Sequence, residues 1–388
     1  MNILFTRFPL ESHFGGAEVQ TLNLMKGLRE GGHEVSFLGS CPVLFEESTK
    51  SQIPSTKLEI GDPPVTKWGA IRFLWKQRGM RKKLIEMITR CHAEHGRSMT
   101  QGASPFDWAQ GDTAIFMLSL SEKLLLTEWA VAQGIKVFWL EHDRIGRWLT
   151  ANPWLPKLRK LSRLVTTVVV SDLSRDLYLK LGWDPKKTTA IPNGIDTTRF
   201  TPRPSPSPNP SPFRVGCIAR LTEDKGIDLL IEAVRDLPNV TLTIVGKGKE
   251  ENAIRKRMDD VNQQTSKPAN QQTSPRVRLL SSIDPVQFYK KIDCLVLPSR
   301  EHDPFGLVIA EAMAAGVPTI LTDACGIARH LHPEDALIVP AGDAQVLRRA
   351  LEEVQRKECW ERLAERGPRI AQEKFSLERM VHAYADLL

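Results

Sequence analysis

Every second residue from Pro202 to Pro212 is proline. A residue without an N–H and with φ fixed cannot sit in a helix interior or a sheet ladder, so no regular element crosses this stretch. It must be an extended, solvated connector, and whatever lies before it must fold separately from what lies after. A chain of 388 residues is also too long for a single core. The expected plan is an N-terminal domain over residues 1–198, a Pro/Ser-rich linker over 199–212 and a C-terminal domain over 213–370. A last helix over 371–388 is expected to pack back toward the N-terminal domain.

Both halves repeat one pattern. Asn2 to Phe8 is an apolar strand, followed by a loop with Phe14-Gly15-Gly16-Ala17-Glu18. A stretch of helical period (Val19, Leu22, Leu24, Met25, Leu28) then ends at Gly31-Gly32, and Glu34 to Leu38 is the next strand. Strand, glycine turn, helix and strand make the unit of a doubly wound parallel sheet. Further strands are predicted at 114–120, 136–140, 165–170 and 188–191. After the connector they follow at 214–218, 241–245, 277–280, 294–297 and 319–321. The fold class is therefore α/β, with two Rossmann-like domains expected to face each other across a cleft. Two stretches break the pattern and are expected to be loops: residues 92–111, and 262–274 with its repeated Asn-Gln-Gln-Thr-Ser.

Composition narrows the setting. No apolar run approaches the roughly 20 residues of a membrane span. The N-terminus meets Arg7 early and has no secretory apolar region, which predicts a cytoplasmic protein. The cysteines (Cys41, Cys91, Cys217, Cys294, Cys325, Cys359) are scattered without metal-ligand spacing, so reduced thiols are expected. A net charge of +7 favours an anionic partner without choosing among nucleic acid, membrane and phosphorylated ligand. No nucleic-acid recognition module is visible, so none is expected as a partner.

Three loops of the second half carry the chemistry. Arg220 and Lys225 follow the strand ending at Ile218, where a fork and a point charge can neutralise a diphosphate. Gly246 and Gly248 follow the strand ending at Val245, allowing close backbone approach, and Leu280 ends the next strand. The third loop, Pro298 to Gly306, holds Asp303 and opens a helix at Phe305-Gly306-Leu307-Val308, with Glu311 more than a turn further on. Free amides at a helix start suit an anion.

The set Arg-x4-Lys-Gly, then acid-Pro-Phe-Gly-Leu-Val-x2-Glu-Ala-Met-Ala-x-Gly, resembles the retaining glycosyltransferases of family 4, which have the GT-B fold. Phe14 to Glu18, Ile191-Pro192-Asn193-Gly194-Ile195-Asp196 and the Ala341-Gly342-Asp343 stretch extend the likeness over nearly the whole chain. The resemblance implies that Gly15, Gly16, Arg220 and Lys225 hold a diphosphate and that Glu311 binds ribose hydroxyls. It places Asp303 and the amides of Phe305, Gly306, Leu307 and Val308 at the transferred sugar, with Gly246 and Leu280 on the donor side. His142, after the strand at 136–140, matches a histidine beside the reacting carbon. Two departures stand out. Asp303 occupies a glutamate position, its carboxylate about 1.5 Å nearer the backbone. Arg329 lies where an acid often follows a glycine pair, and no acid is carried over there.

The implied activity is retaining transfer from a UDP- or GDP-linked sugar to a lipid-linked or envelope-glycan acceptor. No Asp-x-Asp motif is evident, so neither metal nor cofactor is expected. A nucleotide-sugar epimerase, and a donor-binding relative with weak turnover, are the alternatives. Two basic stretches contain tryptophan: 67–90 with Trp68, Phe73 and Trp75, and 144–163 with Trp148 and Trp154. They fit peripheral contact with an anionic membrane, and they fit equally the solvated faces of core helices.

Overall fold

The structure is a computed structural model describing residues 1–8, 15–60, 64, 67–95, 113–202, 211–264 and 275–388, with only the backbone described at 67, 90–95, 147 and 264. It divides into two compact units, Met1–Ile191 with Met380–Leu388, and Pro192–Arg379. Most of the proline connector and of the two expected insertions lies outside the described residues. The described ends of those insertions are helical: residues 92–95 continue one helix and 262–264 another.

In the first unit seven described strands form one parallel sheet, in the order β3-β2-β1-β4-β5-β6-β7. They are β1 (Asn2–Arg7), β2 (Glu34–Gly39), β3 (Ser55–Lys57), β4 (Thr113–Met117), β5 (Lys136–Glu141), β6 (Thr166–Val169) and β7 (Thr188–Ala190). β1 runs in register with both β2 and β4, Phe5 opposite Phe37 on one side and Phe116 on the other. Strands buried on both faces read as near-continuous apolar runs, which is why β1, β4 and β5 stand out in the sequence. β3, with Ser-Thr-Lys at the sheet edge, carries no such signal. Phe5, Phe116 and Phe138 stack across three strands with centroids 4.7 Å apart at each step, and Tyr384 meets Phe116 edge-on. Gly27 of α1 (Gly16–Glu30) leaves room for Val381, because a Cβ there would lie 2.3 Å from a valine methyl.

The second unit has six described parallel strands in the order β10-β9-β8-β11-β12-β13. These are β8 (Phe213–Ile218), β9 (Val240–Val245), β10 (Val277–Leu280), β11 (Cys294–Leu297), β12 (Thr319–Thr322) and β13 (Leu337–Val339). α8 (Ile227–Arg235) buries Ile227, Leu230, Ile231 and Val234 against it, an i, i+3, i+4, i+7 stripe. Residues 192–202 belong to this unit: Ile195 pairs with Ser376, and Thr197 Oγ1 donates to Gln372 Oε1 at 2.5 Å.

Each sheet has one place where the chain's direction of winding reverses, between β1 and β4 and between β8 and β11. In open α/β sheets the crevice beyond the carboxyl ends of the strands at such a point is where ligands bind.

Candidate active site

In the second unit, the loops leaving β8 and β11 are locked together. The β8 loop is held first from below. Leu221 N donates to Lys247 O at 2.9 Å and Glu250 N to Leu221 O at 3.0 Å. A Cβ on Gly246 would fall 1.9 Å from Ala219 O, and one on Gly248 2.3 Å from Leu221 O. The Gly-x-Gly turn is therefore needed to let the backbone of residues 219–221 pass. The amide of Gly246 is spent on Leu280 O at 2.9 Å. Gly246 thus shapes the Arg220 loop, its N–H committed to the neighbouring strand. Leu280 keeps its carbonyl on Gly246 while its side chain stays partly exposed.

Gly226 joins the two loops. Its φ is +62°, and a Cβ there would meet Pro298 O at 2.2 Å. Arg300 N donates to Asp224 O at 2.7 Å beside it. The result is a short contact between the expected cation and the expected acid: Lys225 Nζ lies 2.6 Å from Asp303 Oδ2, which also accepts from Ser299 Oγ at 3.2 Å. Both residues are buried, 7% and 8% exposed. Asp303 is fixed in turn by its backbone, its N–H donating to Ala324 O and its carbonyl accepting from Gly326 N. The carboxylate that the resemblance assigns to the sugar is thus also the partner of Lys225. Arg220 is exposed and forms no ion pair among the described residues.

Past Asp303, Phe305 is buried against Phe375, and Gly306 (φ +97°) turns the chain into α11 (Leu307–Ala314). No side chain caps α11, so the amides of its first turn are unoccupied by a side-chain acceptor. Leu307 and Val308 lie in that turn. Glu311 sits one turn on and accepts from Tyr289 Oη at 2.8 Å. Burial raises its carboxyl above the ordinary range, opposed by the tyrosine bond and by Arg199. Tyr289, in α10 (Pro285–Tyr289), has no warning in the sequence, since an aromatic in a short helix reads as core. Glu311 shares no direct bond with Lys225 or Asp303.

The first unit has its own polar cluster at the winding reversal. Arg7, the last residue of β1, pairs with Glu18 of α1 at 2.5 Å, both nearly buried. Gly15 caps α1 in extended conformation and Gly16 opens it, again without a side-chain cap. After β4, Glu122 in α4 (Leu120–Ala132) takes the amides of Leu118 and Ser119 at 3.1 and 2.5 Å, and burial lifts its pKa to about 7. Lys123 pairs with Glu141, the end of β5, at 2.8 Å. His142 follows. Both its ring nitrogens are buried without a hydrogen-bond partner among the described residues, and burial, aided by Arg7, holds its pKa down to about 4. It is a neutral imidazole with two unused polar atoms. Arg7, Glu18, Lys123 and Glu141 were missed from sequence; their signal is a charge at the boundary of an otherwise apolar run. Among the described residues no cluster could hold a metal ion.

The two basic tryptophan stretches part company. In 144–163, Trp148 donates to Arg144 O at 2.8 Å, Trp154 meets Phe73 edge-on at 5.5 Å, and both pack against the first unit's core. In that stretch the aromatics are used at least in part internally. Phe73 is likewise buried.

Two family models match this chain: Glycosyltransferase Family 4 over residues 14–199, and Glycosyl transferases group 1 over residues 212–357. The lipopolysaccharide core biosynthesis glycosyltransferase LpsE of Rhizobium meliloti is 34% identical over 44% of this chain, which spans 48% of LpsE. The phosphatidyl-myo-inositol mannosyltransferase of Mycolicibacterium smegmatis is 27% identical over 87% of this chain and 80% of its own length. Among solved structures, HepE of Anabaena in complex with UDP superposes with a TM-score of 0.76 at 19% identity, covering 100% of this chain and 99% of HepE.

Proposed function

This chain belongs to the family 4 glycosyltransferases with the GT-B fold, and on that footing we propose that it moves a sugar from a UDP- or GDP-linked donor to a lipid-linked or envelope-glycan acceptor with retention of configuration. Lys225 supports the reading most. A buried ammonium, held by Asp303 at 2.6 Å, stands at the winding reversal of the second sheet, with exposed Arg220 five residues before it in sequence and the uncapped start of α11 following Asp303. As the sugar departs, negative charge grows on the diphosphate. Pre-placed cations and amides stabilise that charge without reorganising, and losing one such donor costs about 10²–10³ in rate. Asp303 serves by fixing Lys225 and, with the amides of Gly306, Leu307 and Val308, meets the sugar. Glu311, aimed by Tyr289, takes the ribose hydroxyls. Leu280 gives the base an apolar surface. In the first unit, the start of α1 at Gly15-Gly16 offers amides to an anion, and neutral His142 offers a ring nitrogen to a sugar hydroxyl. The leaving phosphate helps to take the acceptor's proton. The donor class is supported by HepE, whose crystals hold UDP, and the acceptor class by LpsE and the phosphatidyl-myo-inositol enzyme.

A melting-temperature panel of nucleotide sugars tests the donor site. At 100 times its dissociation constant a ligand adds about 2.7 kcal/mol. At least one UDP- or GDP-sugar should raise the melting temperature, and Arg220→Gln/Lys225→Met should abolish the rise. A rise that survives the double substitution places the diphosphate elsewhere. Product analysis with labelled donor then separates transfer from epimerisation.

A further inference from the structure

Four of the six exposed large apolar side chains among the described residues fall within eight positions of one helix: Trp68 (77% exposed), Ile71 (48%), Leu74 (54%) and Trp75 (86%). The helix is α3 (Lys67–His95). Its inner face is accounted for: Ala70, Phe73, Met80, Leu84 and Ile88 recur at helical spacing and are buried. Trp68, Ile71 and Trp75 stand on the opposite side of its first turns, with Leu74 on the flank. Trp68, Ile71 and Trp75, spaced i, i+3, i+7, share one stripe. A contiguous apolar patch of this kind marks an interaction surface.

Charge identifies the partner. From Lys67 to Lys83 the sequence has seven cations and no carboxylate. Arg72, Lys76, Arg78, Arg81 and Lys82 are all exposed. Lys82 reaches only Glu86, at 3.9 Å. The apolar stripe thus opens the helix and the cations flank and follow it. Indoles prefer the boundary between headgroups and acyl chains, while lysine and arginine beside them face anionic phosphates. A second copy of the same face would set like charges against each other. A nucleic acid would use the cations but leave Ile71 and Leu74 without a role.

We propose that the first two turns of α3 insert Trp68, Ile71, Leu74 and Trp75 into an anionic phospholipid surface, with the cations of residues 72–83 on the headgroups. Among the described residues no helix is long and apolar enough to cross a membrane, so this would be attachment in the plane of the interface. One helix with this cation count gives reversible binding, each charge contributing about fivefold to the partition coefficient at low salt. Attachment requires no donor, so this proposal and the donor-site reading can fail independently.

The test is flotation of the full chain with phosphatidylglycerol–phosphatidylcholine vesicles, and with phosphatidylcholine alone, at low and high salt. The chain should float with the anionic vesicles at low salt only. Trp68→Ser/Trp75→Ser should lower partitioning by more than about tenfold, and Arg72→Gln/Arg78→Gln by about 25-fold. All four substitutions are at exposed positions, and an unchanged melting curve checks that the variants are folded. Failure to float with anionic vesicles, or wild-type flotation by the tryptophan variant, overturns the proposal. So does a wild-type dimer in sedimentation that Trp68→Ser/Trp75→Ser dissociates, because the face would then belong to a second copy.

Discussion

Asp303→Asn should destabilise the second unit far more than its size suggests. The substitution keeps the side chain's shape and its neighbour Ser299, and removes only the charge facing Lys225 Nζ at 2.6 Å. At an effective dielectric constant near 20, two unit charges at that distance attract by about 6 kcal/mol. Taking them out of water costs several kcal/mol per ion, so the intact pair is worth little net, yet breaking it strands a buried ammonium at a cost of about 3–5 kcal/mol. The side chains are 8% and 11% exposed, so solvent screens the pair weakly. For a unit of this length, about 2–4 °C per kcal/mol gives a fall of roughly 6–20 °C in its calorimetric transition. Lys225→Met/Asp303→Leu should fall less than Asp303→Asn, because neither charge is left alone. Added UDP should stabilise Asp303→Asn more than wild type, since a diphosphate can stand in for the missing carboxylate. If Asp303→Asn melts within about 2 °C of wild type, the pair is solvated and the reasoning is wrong.

The remaining predictions concern single residues. His142 is held near 4 chiefly by burial, so its neutral form is the folded one; its contribution to stability is present above about 6.5 and lost as pH falls toward 4. Its imidazole resonances should titrate with a midpoint below 5, rising when Arg7→Gln removes the nearby charge; a midpoint near 6.5 would mean an open, solvated ring. Glu122 has the opposite sign: raised to about 7 by burial, it contributes stability below about 4.5 that is lost as pH rises through 7. Urea midpoints for Glu122→Gln should therefore overtake wild type between pH 5 and 8, and parallel curves would refute the shift. Gly226→Ala, with φ +62° and Pro298 O 2.2 Å from the new Cβ, should separate the two site loops, lowering both melting temperature and nucleotide affinity. Tyr289→Phe leaves the buried Glu311 carboxylate short of its 2.8 Å donor, which should cost about 1–3 kcal/mol in denaturant titrations and show no loss if water replaces the hydroxyl.

Several features were legible before any coordinates. Alternating proline forbids a continuous element for local reasons. Buried parallel strands announce themselves because both faces are apolar, as in β1, β8 and β11. Arg220, Lys225, Asp303 and the start of α11 lie on loops whose glycines and charges are set by position along the chain. What the sequence could not contain is which of these groups touch. Asp303 and Lys225 are 78 residues apart, and only the adjacency of β8 and β11 puts the acid on the cation. A glycine's tolerance is the same whether a phosphate or a peptide passes it, so only the structure shows that Ala219 passes Gly246. Trp68 and Trp154 likewise sit in similar basic stretches, and only packing separates an indole lodged against the core from one left facing solvent. Local chemistry is written in order along the chain, whereas pairing across strands and exposure follow from three-dimensional neighbours, which sequence order does not carry.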